Sequence, residues 1–164
     1  MRKINYSVIF SAMLISSIAL NAQSRERDSF SSASLTGAYS TQEQGDGSVS
    51  AGLGVVRYDG TGKTTRRVLV NAPAENGSRR TLVFESEGTY SLNPDGTGMA
   101  TYTNIISGGV MTTVTFDLVV TGTQSTWSPG RGWHRTATEL FAVQREAGVT
   151  VSLVTSVQKR IADQ

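Results

Sequence analysis

From Leu35 onward, apolar and polar residues alternate in short runs separated by glycine-containing turns, the period expected of strands with one buried face. The runs are 35–44, 49–58, 63–70, 80–92, 97–105, 111–121, 136–145 and 149–158. Gly45-Asp46-Gly47, Asp59-Gly60-Thr61-Gly62 and Asn93-Pro94-Asp95-Gly96 have the φ-permissive chemistry of tight reversals. Gly88 is a bend or bulge within the fourth run. In the sixth, Val114, Phe116, Leu118 and Val120 share one face and Thr113, Thr115 and Asp117 the other. In the eighth, Val149, Val151, Leu153 and Val157 share a face. A long loop is expected over 122–134. No ten-residue stretch beyond the leader has a helical period.

Eight strands joined mostly by short hairpins predict an all-β chain folded as a single eight-stranded antiparallel up-and-down β-barrel, since closure removes exposed edges. A β-sandwich is the alternative, and it needs longer crossover connections than most of these turns allow.

Residues 1–22 read as a secretory signal peptide. Arg2 and Lys3 precede an apolar run over 8–20, and Ala22 is a small residue at a cleavage point. A membrane anchor takes about 20 consecutive apolar residues, and Ser11, Ser16 and Ser17 interrupt this run. The chain has no cysteine, which excludes a lipid-anchored lipoprotein and leaves the core to close by packing alone. Residues 23–34 are expected to be a flexible polar lead-in, 35–160 the barrel and 161–164 a tail. The expected location is secreted or periplasmic, with no stable membrane span after cleavage.

The leader changes the charge argument. The chain has 15 basic and 13 acidic residues, and removing Arg2 and Lys3 balances them. The remaining cations come as scattered pairs, so nucleic acid is not an expected partner. Arg66-Arg67 and Arg79-Arg80 read as solvated strand and loop positions. An outer-membrane barrel would need an outward apolar band with aromatic girdles, and the sequence holds only two Trp, five Tyr and five Phe.

Candidate chemistry concentrates in 126–135, which contains both tryptophans, the single histidine and two arginines. At a barrel mouth, Trp127 and Trp133 would cover an apolar ligand and Arg131 or Arg135 would hold a carboxylate. Alternatively one tryptophan plugs the barrel end and the arginines face water. His134 has no second histidine or cysteine for a metal site, and as a general base it would need Glu139 or Asp117 nearby. Glu139 shares strand parity with Phe141 and Val143, so it enters the lumen if they do. Otherwise it lies at the rim beside an arginine. Tyr58, Tyr90 and Tyr102 either line a cavity with hydroxyls or fill the core. No catalytic residue, metal or cofactor is assigned.

Leu35-Thr36-Gly37-Ala38-Tyr39, Tyr58-Asp59-Gly60-Thr61-Gly62 and Gly88-Thr89-Tyr90-Ser91-Leu92-Asn93-Pro94-Asp95-Gly96-Thr97-Gly98 resemble a loose group of exported bacterial proteins. Thr138-Glu139-Leu140-Phe141-Ala142-Val143 and the final strand after Gly148-Val149 do so too. That group looks like lipocalin-type or allene-oxide-cyclase-like eight-stranded barrels. The resemblance implies a barrel that binds a small, mostly apolar ligand in its lumen, or alternatively a cyclase- or isomerase-type enzyme. A packed lumen would instead leave a structural or interaction domain. The oligomeric state is not legible.

Overall fold

The computed structural model describes residues 29–45, 50–105, 111–145 and 154–162. The leader and the start of the eighth run lie outside them. A 3-10 turn at Ser32–Ser34 leads into β1 (Thr36–Gly45), β2 (Ala51–Asp59), β3 (Lys63–Pro73), β4 (Arg79–Leu92), β5 (Thr97–Ile105), β6 (Met111–Ser128), β7 (Gly132–Gln144) and β8 (Val154–Arg160). Each strand pairs antiparallel with the next, and β8 returns to β1, giving one closed up-and-down barrel rather than a sandwich.

The strands are strongly staggered. Paired residues run Leu92–Gly98–Leu118–Ala142–Ser156–Glu43–Gly52–Val70–Leu82, so one circuit returns to β4 ten residues from its start. Eight strands with this stagger tilt by about 40° and enclose a bore that side chains can fill.

The lumen is occupied by side chains. Tyr39, Val56, Leu35, Leu140 and Ala142 have no exposed surface, so neither bulk solvent nor a water-sized void touches them. The tyrosines meet edge to face, Tyr39 on Tyr58 at 5.4 Å and Tyr58 on Tyr90 at 4.9 Å between ring centres. Deeper along the bore, Tyr102 meets Phe116 at 6.0 Å. The inward face of β6 is the expected one, with Val114, Phe116 and Leu118 buried.

Two expectations need correction, and β8 shows which of its faces is buried. Residues 122–134 are not a loop: β6 and β7 continue as a hairpin to Ser128 and Gly132, around a three-residue turn. The segment lacks an alternating buried face because little covers it, so its pattern looked loop-like. On β8, Val157 points outward, because Ser156 and Gln158 turn inward to bond Thr41 and Tyr58. The described part of the lead-in is seated rather than free. Phe30 is buried, its N–H donates to the Pro94 carbonyl at 3.1 Å, and its ring lies under the Arg135 guanidinium.

Candidate functional site

Beyond Val119 and Glu139, β6 and β7 have no ladder with another strand and pair with each other, held at their base by Val120 N–H on the Gly96 carbonyl and the Tyr39 hydroxyl on the Ala137 carbonyl. β5 ends its ladder at the Thr97–Val119 pair, and β8 ends its ladder with β7 at Glu139–Lys159. The result is a two-stranded arm about 25 Å long. A register irregularity at Gly122 starts it. From Thr123 the register is even and sets Trp127 directly opposite Trp133 on one face. Pro129-Gly130-Arg131 closes the tip. Gly130 has φ +84° and Gly132 φ +69°, the left-handed conformation that such a turn requires and glycine adopts without strain.

Trp127 and Trp133 are 58% and 59% exposed, so neither plugs the barrel. Arg131 is exposed between them at the turn. The His134 ring nitrogen Nδ1 lies 3.1 Å from the Gly132 carbonyl, a contact local to the hairpin. The arm therefore unites four of the residues singled out from the sequence: Trp127, Arg131, Trp133 and His134.

The other three lie elsewhere. Glu139 does not enter the lumen. It faces outward with the exposed Phe141 and Val143, accepts from Thr121 Oγ1 at 3.1 Å, and pairs with Lys159 at 3.3 Å. Tyr58 and Tyr102 do face inward, but their hydroxyls are engaged. Tyr58 donates to Gln158 Oε1 at 2.9 Å, and the Tyr102 hydroxyl lies 3.4 Å from Thr64 Oγ1. Tyr39 donates to the Ala137 carbonyl at 2.6 Å, and Tyr90 to the Ser32 and Leu35 carbonyls.

Burial pushes every one of these phenols up. Tyr39 and Tyr90 rise to about 12, Tyr58 well above its ordinary value, and Tyr102 in the same direction. A raised phenol pKa favours the neutral form in the fold. Its contribution is complete below about pH 10 and is lost as pH rises toward the folded value. In a spectrophotometric alkaline titration, the four buried tyrosines, Tyr39, Tyr58, Tyr90 and Tyr102, are expected to stay protonated above the ordinary phenol range and then to ionise together with unfolding. Independent titration near pH 10 would show a wet lumen.

The luminal carboxylate is Glu43, not Glu139. It takes three hydrogen bonds from Arg66, at 3.0, 2.7 and 2.5 Å, with both side chains buried. The Arg66 guanidinium lies 5.3 Å from the Phe116 ring centre and 5.7 Å from that of Tyr102. Arg66 is thus not the solvated residue expected from its doublet. Only Arg67 is, paired outside with Glu85 at 2.8 Å. Strand parity could have revealed both partners, since Glu43 alternates with Tyr39 and Thr41, and Arg66 with Val68.

The outer face of β2–β5 holds an open concavity of about 1090 Å³, edged by Arg57, Lys63, Arg67, Glu85 and Glu87. Its mixed charges select no ligand class. The Asp59 and Asp95 carboxylates are consumed by their own turns. Hydrogen bonds from the Thr61 hydroxyl and the Thr61, Gly62 and Lys63 N–H groups hold Asp59 down at about 2. Among the described residues, no group of three His, Asp or Glu side chains is placed to hold a metal ion.

The fold defines a closed eight-stranded up-and-down β-barrel. No protein-family model matches the chain, and neither a curated protein nor a solved structure does. The barrel shape is shared by lipocalin-like and cyclase-like proteins and identifies neither group.

Proposed function

We propose that this chain is an interaction module whose barrel is a scaffold and whose β6–β7 arm does the binding. The observation that carries the reading is the Trp127–Trp133 pair, more than half exposed at the tip while the aromatics that face the lumen, Tyr39, Tyr58, Tyr90, Tyr102 and Phe116, are buried. Indoles left in water hold apolar area that a partner can cover, and they do so with few rotatable bonds. A closed, filled barrel supplies the rigid base that such an arm needs. Export by the 1–22 leader belongs to the same proposal, and it sets the partner outside the cytoplasm.

The competing site is the lumen. Oleate, retinol and 8-anilinonaphthalene-1-sulfonate can be titrated while the ligand's own signal is followed, in the native protein and in a Trp127→Ala/Trp133→Ala variant. The expected result is no saturable one-to-one uptake that persists in the variant. Stoichiometric uptake that survives loss of both tryptophans would overturn this reading. Function would then move into the barrel, as a carrier or cyclase-type enzyme.

A further inference from the structure

We infer that the arm docks on an anionic lipid surface, a proposal that rests on the arm being the binding element. Charge, side-chain type and reach all favour this partner. From Leu118 to Thr138 the chain has no carboxylate. The acids at either end of that stretch are committed, Asp117 to Arg145 at 2.7 Å and Glu139 to Lys159. The turns at the same end of the barrel contribute Asp59 and Asp95, exposed and held ionised by hydrogen bonds within their turns, but they sit on the β2–β3 and β4–β5 hairpins and not on the arm. What remains exposed at the tip is Trp127, Pro129, Arg131 and Trp133.

Indole rings favour the headgroup level of a bilayer, where the ring is covered and the N–H stays wet. An arginine between two such rings reaches lipid phosphate while its stem stays in the apolar layer. The negative surface potential of anionic lipid attracts this cation. A glycan is the poorer fit, because 126–135 contains no carboxylate or carboxamide side chain to bond sugar hydroxyls. The overhang also matters. It lets the tip reach a planar surface while the outer ion pairs Arg67–Glu85 and Arg145–Asp117 stay hydrated. Two indoles and one cation give weak, reversible binding, about 10³–10⁴ M⁻¹ on the scale of a single acyl chain.

The test uses the chain from Gln23 onward, which holds the whole closed barrel, because the apolar 1–22 run would itself bind vesicles. Vesicles of phosphatidylcholine alone, or with phosphatidylglycerol at 7:3, are mixed with protein and pelleted while tryptophan emission is recorded. Pelleting with a blue shift is expected on the anionic vesicles, falling about tenfold from 0.05 to 0.5 M NaCl. Arg131→Gln should weaken it several-fold, and Trp127→Ser/Trp133→Ser should abolish it. The proposal is overturned by no pelleting on anionic vesicles, by equal and salt-insensitive binding to both lipids, or by undiminished binding of the Trp-free variant. Absence of vesicle binding together with absence of luminal uptake refutes the lipid partner but not the arm. Luminal uptake independent of the tryptophans refutes both.

Discussion

Glu43→Ala is expected to destabilise the barrel by about 3–5 kcal/mol, the cost of leaving a buried charge without its partner. Arg66 lies between Tyr102 and Phe116 with only 8% of its side chain exposed, and Glu43 is the carboxylate that it pairs with among the described residues. The loss should persist in high salt, because a buried pair is poorly screened. Replacing both partners by apolar residues of similar volume, Glu43→Leu with Arg66→Met, should recover most of it. Urea unfolding of the two variants checks this. A single variant within about 1 kcal/mol of the parent would mean that Arg66 is hydrated.

Gly88→Val is expected to cost about 3 kcal/mol, at the upper end of overpacking effects. A Cβ built on Gly88 would stand 2.2 Å from the Thr101 carbonyl oxygen and 3.0 Å from the Tyr102 ring. The first neighbour is backbone of the paired strand, so it cannot rotate away, and the β4–β5 ladder must open. Gly54 has the same relation to the Arg67 carbonyl across the β2–β3 pair. The two glycines let the sheet curl tightly here. Thr89→Val, on the exposed outer face one residue away, should change stability by less than about 0.5 kcal/mol. The pair of urea curves separates a backbone clash from a simple propensity effect.

The sequence made the barrel legible because its turns carry their own chemistry and its strands alternate. Asp59-Gly60-Thr61-Gly62 and Asn93-Pro94-Asp95-Gly96 reverse the chain where expected, and Phe116 and Leu118 mark the inside of β6. Parity alone did not say which face of β8 is buried. Its outward Val157 lies between Phe141 and Gln42 in register, so an apolar residue there packs along the outer surface rather than into the core. The Glu43–Arg66 pair was hidden because charged residues are read as exposed, and only pairing in three dimensions neutralises them. The arm was visible as unusual composition but not as structure, since its outer part, 123–135, has no buried residue on either face and so no hydrophobic period. The seated Phe30 depends on contacts with Pro94, Gly96 and Arg135, far away in the chain.

The central claim is that the tryptophans stand outside a self-sufficient barrel and are free to bind. Urea unfolding of Trp127→Ser/Trp133→Ser, followed by the near-ultraviolet circular dichroism of the buried tyrosines, tests it most directly. The expected result is an unfolding free energy within about 0.5 kcal/mol of the parent, as for surface substitutions. A loss of about 3 kcal/mol or more, the cost of removing a buried aromatic, would show that the indoles seal the barrel and would contradict the account.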